Sequence, residues 1–227
     1  MTVRTEVIIV HGLWFGSWAM ASLARKLEAA GLVCRRYSYA TTGDGLDQHA
    51  AGLRQFVARS PAKTVHFVAH SLGGLVTLKM LEMYNRVAPG RVVLLGSPLG
   101  GSVTARKAAK VPGSEKLLGD IRSALHRGYG RIPPDRDTGM IAGARGIGLG
   151  LLVGGVGGPG DGTVALRETH MPGLADHITL PVTHTGMLYS REVARQAAYF
   201  LRSGGFEHGP ASVSYTHLRA HETTASI

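Results

Sequence analysis

Short apolar segments alternate along the chain with longer segments whose apolar residues recur every three or four positions. The short segments have the character of strands buried on both faces, and the periodic segments that of helices with one apolar face. Strands are predicted at residues 6–10, 32–39, 65–68, 91–96, 139–143 and 177–182. Helices are predicted at residues 19–30, 46–57, 72–86 and 190–201. Strands that alternate with helices in this way predict an α/β fold, in which a parallel sheet is covered on both faces.

Three segments depart from this alternation. Residues 99–136 hold short helical patches, several helix breakers and eight basic against three acidic residues. We interpret them as a small basic cap inserted above the sheet. A glycine-rich run that ends at Gly162 predicts a pliant loop. We expect a single domain over residues 1–210 and a non-native, disordered tail at residues 211–227, because that tail has no useful apolar period.

The segment TVHFVAHSLGGLVTL at residues 64–78 predicts a strand, a sharp turn and a helix. A serine at the tip of such a turn projects its hydroxyl above the end of the sheet, an arrangement called a nucleophile elbow. Ser71 lies at the tip. The usual pattern is G-x-S-x-G, and here Gly73 supplies one small residue while Ala69 replaces the first glycine with little loss of clearance. The alternative is a serine that only caps the following helix.

A nucleophilic serine needs a base within hydrogen-bond reach, a group that orients the base, and donors for the oxyanion. In open α/β sheets these groups assemble beyond the carboxyl ends of the strands. Leu13, Asp161 and His184 each lie in a loop that follows a predicted strand. We therefore predict that their loops meet Ser71 at one edge of the sheet, in the chain order Ser, Asp, His.

Other residues compete for these roles. Asp161 precedes a glycine, so it could belong to an ordinary turn. Asp137 and Asp176 are the rival acids, but each precedes its strand and therefore lies at the wrong edge of the sheet. His170 and His177 lie at that same edge, which favours His184 as the base.

Two histidines and several apolar residues flank the predicted site. His70 directly precedes Ser71 and is expected to point away from it, as a packed or hydrogen-bonded side chain. His11 is expected to brace the loop that holds Leu13. Apolar residues beside the catalytic positions are expected to line a substrate pocket, with core packing as the alternative. These predicted pocket residues are Trp14, Phe15 and Met187.

Five motifs occur in order along residues 6–203: HGLW at 11–14, AHSLGG at 69–74, LLGSP at 94–98, GDGTV at 160–164 and HTGM at 184–187. In this order and spacing the chain resembles a small bacterial α/β-hydrolase of the esterase/lipase, or serine hydrolase, type. The resemblance implies an α/β-hydrolase fold with a reduced, mostly parallel sheet of about six strands and a small cap insertion. The sheet is reduced because the family's first two strands are missing here.

The resemblance also implies roles for the site residues. Ser71 would be the nucleophile, His184 the general base and then the general acid, and Asp161 the residue that holds the imidazole. The backbone N–H groups of Leu13 and Leu72 would form the oxyanion hole. The implied reaction is the hydrolysis of apolar acyl esters through an acyl-enzyme, with no cofactor.

The composition of the chain favours some classes of partner and argues against others. The 227-residue chain carries a formal charge of +10, which favours an anionic surface or polymer as a partner, or simply solubility. The single Cys34 excludes an internal disulfide, and the histidines form no metal-binding motif, so we expect no metal. The glycines of residues 155–160 fit a dinucleotide fingerprint, but Pro159 interrupts it and no strand-to-helix unit surrounds it. Basic residues do not interleave with aromatic ones, so no nucleic acid partner is expected.

The chain shows neither a signal-peptide pattern nor an apolar run long enough for a transmembrane segment, so as written it is expected in the cytoplasm. We expect a carboxylic ester hydrolase acting on a small-molecule or lipid-like ester. Two alternatives stay open. One is an acyltransferase or amidase that uses the same three residues, and the other is a binding or receptor-like relative that keeps the fold without turnover.

Overall fold

The sheet is the centre of the fold. The computed structural model describes residues 5–110, 119–148 and 155–209. Its strands are β1 (Thr5–Val10), β2 (Cys34–Tyr37), β3 (Thr64–His70), β4 (Val92–Leu95), β5 (Thr138–Gly143) and β6 (Asp176–Leu180). These strands form one six-stranded sheet in the order β2-β1-β3-β4-β5-β6, and every neighbouring pair runs parallel. The predicted parallel sheet is therefore confirmed.

Helices connect the strands. The helices in the described residues are α1 (Ala21–Ala29), α2 (Leu46–Ala58), α3 (Leu72–Met83), α4 (Val103–Ala108), α5 (Arg122–Arg127) and α6 (Arg191–Ser203). The first three and α6 follow the predicted helices. The short helices α4 and α5 belong to the predicted insertion between β4 and β5. Residues 111–118 of that insertion and the predicted tail at 211–227 lie outside the described residues.

The sheet separates two apolar cores. Alternate residues of a strand point to opposite faces, and in β1 Ile8 and Val10 pack with α2 and α3. Val7 and Ile9 of the same strand pack with α1 and α6 on the other face. All four side chains are fully buried. A strand that is covered on both faces needs apolar residues at consecutive positions, which explains the continuous apolar segments of the sequence.

The edge strand β2 is shorter than predicted. The sequence pattern predicts a strand at residues 32–39, whereas the strand covers Cys34–Tyr37. β2 pairs with β1 alone. The N–H of Leu32 instead donates to the carbonyl of Leu27 (3.2 Å), which closes the end of α1 before the strand begins.

The parallel arrangement decides where the site forms. All six strands point in one direction, so their carboxyl ends lie along one edge of the sheet. The central strand β3 ends at His70, directly before Ser71. Within the described residues, no helix combines the length and the apolar character needed to cross a lipid bilayer.

Candidate active site

Ser71 lies in a strained turn between β3 and α3. Its backbone has φ 55° and ψ −123°, and Trp14 is the one other non-glycine residue with a positive φ in the described part of the chain. This conformation is unfavourable for a residue with a Cβ atom, and such strain concentrates at functional sites. Gly73 lets the turn close, because a Cβ at this position would lie 2.5 Å from the carbonyl oxygen of His11. Ala69, at the position of the usual first glycine, is fully buried and accommodated. The backbone geometry is that of a nucleophile elbow.

His184 and Asp161 form a buried pair. Nδ1 of His184 lies 2.6 Å from Oδ2 of Asp161, and the two residues are 6% and 1% exposed. The other carboxylate oxygen, Oδ1, accepts the N–H groups of Thr163 (2.9 Å) and Val164 (2.7 Å). Since the carboxylate accepts these bonds, Nδ1 of His184 carries the proton and Nε2 keeps its lone pair. An imidazole held in this tautomer can accept a proton at Nε2.

Ser71 and His184 line one cavity of about 260 Å³. Its wall is mainly apolar and comes from the loop after β1, from α4 and from the loops that carry Asp161 and His184. Predicted pocket residues Trp14 and Phe15 both line it, and so does Leu13. The remaining lining residues are Pro98, Ser102, Thr104, Ala105, Ala108, Leu125, Ile147, Gly148, Thr163, Val164 and Thr185.

Met187 does not line this cavity, which corrects its predicted role in the pocket. Its side chain is fully buried in the core formed with α1 and α6. The reason is the 3₁₀ turn Gly186–Leu188, which directly follows the loop of His184 and directs Met187 beneath the site instead of towards it. Met187 is therefore a core residue.

The loop after β1 lies directly against the elbow. A Cβ on Gly12 would come within 2.9 Å of the Cβ of Ser71, so only glycine permits this approach. Leu13 follows in this loop. Leu72 is the first residue of α3, and the first N–H groups of a helix have no acceptor within the helix. Both backbone N–H groups are thus in segments adjacent to Ser71.

Two residues that the sequence analysis missed hold the loop after β1. Oγ1 of Thr41 accepts the N–H of Trp14 at 3.0 Å, and the hydroxyl of Tyr39 donates to the carbonyl of His11 at 3.0 Å. The Tyr39 ring stacks on His11 with centroids 4.5 Å apart, and the Tyr39 N–H donates to Nε2 of His11 at 3.3 Å. Both residues follow β2 at the carboxyl edge of the sheet, so their place after a strand was the available signal.

His11 acts as the predicted brace. It is fully buried, and burial lowers its pKa below the ordinary value for histidine. Because Nε2 accepts from Tyr39, Nδ1 is the donor to the carbonyl of Gly12 at 3.0 Å. A neutral His11 with this tautomer joins the loop to the end of β2.

His70 supports the other side of the site. It is fully buried, and its Nε2 donates to the backbone oxygen of His184 at 3.1 Å, which agrees with the prediction of a hydrogen-bonded side chain. Burial lowers the pKa of His70 well below the ordinary value, and the neighbouring His184 lowers it further. The ring stays neutral and ties the elbow to the loop that presents the second histidine.

The rival acids and histidines lie away from the cavity. Asp137 pairs with Arg91 at 3.0 Å, and Asp176 accepts the N–H of Phe206 at 2.7 Å. Both acids are at the amino ends of their strands, as expected from the sequence. His170 and His177 stack on each other with centroids 4.0 Å apart. The structure thus brings together Asp161 and His184. Neither the two rival acids nor the two rival histidines line the cavity.

The chain matches one protein family over most of its length. A sequence model of the alpha/beta hydrolase family matches residues 7–221. No curated protein sequence matches the chain. Among solved structures, the mature lipase BlEst2 of Bacillus licheniformis is similar to it with 21% identity and a TM-score of 0.68, covering 88% of this chain and 91% of the lipase.

Two further solved structures are similar at comparable identity. The metagenomic carboxyl esterase MGS0156 has 19% identity and a TM-score of 0.62, covering 90% of this chain and 76% of the esterase. A pyrethroid hydrolase from Sphingobium faniae JZ-2 has 15% identity and a TM-score of 0.58, covering 89% of this chain and 98% of the hydrolase. These likenesses establish a common fold. Because the family match spans nearly the whole chain, the protein belongs to the alpha/beta hydrolase family.

Proposed function

We propose that the protein is a carboxylic ester hydrolase that uses Ser71 as its nucleophile, His184 as its base and Asp161 as the residue that orients the base. The observation that carries this proposal is the 2.6 Å hydrogen bond between Nδ1 of His184 and Asp161, because His184 and Ser71 line the same cavity. A lipase and a carboxyl esterase among the structures of similar fold support an ester as the substrate.

The first half of the reaction forms an acyl-enzyme. Oγ of Ser71 attacks the ester carbonyl carbon as Nε2 of His184 takes the hydroxyl proton. The tetrahedral intermediate then collapses, the bond between the carbonyl carbon and the alcohol oxygen breaks, and His184 donates its proton to the departing alcohol. Asp161 stays ionised and stabilises the imidazolium while it exists.

The second half restores the enzyme. Water attacks the acyl carbon while Nε2 of His184 takes one of its protons, and the proton returns to Oγ of Ser71 when the acid leaves. No group outside the chain and its substrates is needed for this balance. In both halves the negative charge develops on the carbonyl oxygen, and we propose the backbone N–H groups of Leu13 and Leu72 as its donors.

The proposed proton transfer requires a close approach between serine and histidine. In the described residues no hydrogen bond joins the Ser71 hydroxyl to His184. Catalytic hydrogen bonds in ligand-free enzymes are commonly long and tighten when substrate binds, to roughly 3 Å between heavy atoms. Both residues already line the same cavity.

The test combines turnover with covalent labelling. The protein should release p-nitrophenol from p-nitrophenyl esters with a burst, and a serine-directed phosphonate should stop turnover and add its mass to the peptide that contains Ser71. Ser71→Ala should lower kcat by about 10⁶ and abolish labelling, because the change removes the attacking oxygen. Ser97 is a buried serine after the neighbouring strand, so Ser97→Ala is the matched control and should retain activity.

Three results would contradict the proposal. A folded Ser71→Ala protein with full activity would remove Ser71 from the mechanism. Absence of a burst and of labelling in the native protein would favour a relative that binds without turnover. Transfer to an added alcohol or amine that exceeds hydrolysis would favour an acyltransferase or amidase with the same residues.

A further inference from the structure

One wall of the cavity is built by α4, the first helix of the insertion. Ser102, Thr104, Ala105 and Ala108 all line the cavity, and they lie on successive turns of this helix and at its N-cap. Two of these four side chains are single methyl groups. The space beside a methyl group in a cavity wall is space that a larger side chain would occupy.

The helix is fixed to the loop that carries Asp161. Oγ1 of Thr104 donates to the carbonyl of Thr163 at 2.6 Å, and the N–H of Val103 donates to Oε1 of the buried Glu168 at 2.7 Å. A helix of six residues is not stable by itself, so these contacts decide its position. This wall of the cavity is therefore held as firmly as the loop that carries Asp161.

The basic residues of α4 are directed away from the cavity. Arg106 donates to the carbonyl of His126 at 2.8 Å, and Lys107 donates to the carbonyl of Gly155 at 2.8 Å. Neither lines the cavity, and among the described residues that do, His184 is the one with an ionisable side chain. Away from His184, a charged substrate group would have no countercharge among the described lining residues, and burying an unpaired charge is costly.

We infer that this cavity binds an uncharged alkyl acyl chain, and that Ala105 and Ala108 set the longest chain that fits. The inference rests on the proposed ester hydrolase function. The acyl group stays bound to Ser71 after the alcohol has left, so it belongs beside the buried wall formed by Ala105, Leu125 and Val164. The alcohol leaves and water enters past the exposed side, where Trp14 and Ile147 are 48% and 66% exposed.

The test is Ala108→Leu, with Ala109→Leu as the matched control on the next residue. Ala108 lines the cavity and Ala109 does not. kcat/KM is measured for p-nitrophenyl esters from acetate to dodecanoate. We expect the ratio of long-chain to acetate activity to fall about tenfold or more in Ala108→Leu, because one methylene group in an apolar pocket changes kcat/KM by about 10- to 200-fold. The chain-length profile of Ala109→Leu should stay close to native, and the ratio to acetate corrects for any general loss of activity in Ala108→Leu.

A second series separates the acyl chain from the alcohol. For alkyl acetates of increasing alcohol length, kcat/KM should depend on that length in the same way in the native protein and in Ala108→Leu. The placement of the acyl chain is overturned if Ala108→Leu changes the dependence of kcat/KM on alcohol length and leaves its dependence on acyl length unchanged. If neither ratio changes while Ala108→Leu folds and turns over acetate, α4 does not set the chain length.

A separate experiment tests whether the acyl chain of the substrate must be uncharged. Esters of a fatty acid should be hydrolysed about tenfold faster, or more, than esters of equal length that end in a carboxylate. Equal rates would overturn the requirement for an uncharged chain. Failure of the ester hydrolase proposal is distinguishable from all these outcomes, because native protein would then give no burst even with p-nitrophenyl acetate.

Discussion

Asp161 accepts a 2.6 Å hydrogen bond from Nδ1 of His184, and the backbone strengthens the pair because the N–H of His184 also donates to the carbonyl of Asp161 at 2.9 Å. The second carboxylate oxygen is occupied by two backbone N–H groups. The loop that carries Asp161 thus holds the carboxylate of Asp161 and also the backbone of His184. A flip of the imidazole or a change of its tautomer would break the Nδ1–Oδ2 hydrogen bond.

Asp161→Asn should lower kcat by about 10⁴, because an amide at this position favours the wrong tautomer of His184. The measurement is kcat on a p-nitrophenyl ester, with circular dichroism to establish folding. Asp176→Asn is the matched control and should retain most activity, since Asp176 contacts the segment after α6 at the opposite edge of the sheet. If Asp176→Asn lost activity and Asp161→Asn kept it, the assignment of the acid would be wrong.

Thr41→Val should lower kcat about tenfold with little change in KM. Valine has the shape of threonine but cannot accept the N–H of Trp14, so the strained loop beside Leu13 would lose a tether. Loss of one oxyanion donor costs about 10² to 10³ in kcat, and a loosened donor should cost less. The exposed neighbour Thr42 provides the control Thr42→Val, which should behave like the native protein. An unchanged kcat in Thr41→Val would remove this residue from the support of the loop.

The parts of the site that the sequence predicted lie in loops that follow strands. Ser71, Asp161 and His184 each come after an apolar segment, and the carboxyl ends of parallel strands meet at one edge. The preference for Asp161 over Asp176 followed from this rule, and the resemblance carried by the GDGTV motif at residues 160–164 implied the same residue. The parallel direction of the strands therefore predicted where these residues lie, and the resemblance implied what each of them does.

The parts that the sequence did not predict depend on contacts between distant segments. A hydrogen bond joins Thr41 to Trp14 across 27 positions, and neither residue type signals it. Met187 was misplaced because one 3₁₀ turn decides whether a side chain after His184 faces the cavity or the core. A side chain that faces the apolar cavity and one that faces the core are both apolar. A pattern of apolar residues therefore cannot distinguish the two positions.

Acid should destabilise the protein through its buried histidines, among them His66 and His177. Burial, with the Arg91 and Arg136 guanidinium groups nearby, lowers the pKa of His66 to about 4. Burial and the neighbouring His170 lower the pKa of His177 to about 4. The ordinary value is about 6.5, so between about pH 6.5 and pH 4 the unfolded chain binds more protons than the folded chain. The free energy of unfolding should therefore fall as the pH falls through this range, by up to about 3 kcal/mol for each histidine.

Urea unfolding at several pH values between about 7 and 4.5 measures this fall. His66→Asn is the informative variant, because an amide oxygen can still accept the 2.8 Å hydrogen bond from the N–H of Arg91 and does not titrate. Its free energy of unfolding should depend less steeply on pH than that of the native protein. Equal slopes would show that the titration of His66 does not contribute.

The last prediction concerns the charge of the insertion. Residues 99–136 carry eight basic and three acidic residues, a formal excess of +5. Arg106 and Lys107 are held by hydrogen bonds to carbonyl groups, so reversing them would disturb α4 as well as the charge. Exposed cations of the same segment are better probes: Lys110, Arg122 and Arg127.

If these cations attract an anionic surface, hydrolysis of an ester in anionic vesicles should be faster than in neutral vesicles at low salt. The attraction should fade as salt rises, because the Debye length falls from about 30 Å at 0.01 M to about 3 Å at 1 M. The triple variant Lys110→Glu, Arg122→Glu, Arg127→Glu should lose the preference and still hydrolyse p-nitrophenyl acetate at the native rate, since none of the three lines the cavity. Initial rates on both vesicle types across this salt range are the measurement. Equal rates on anionic and neutral vesicles at low salt would limit the role of the insertion to its wall of the cavity, because the charge would then contribute nothing to substrate encounter.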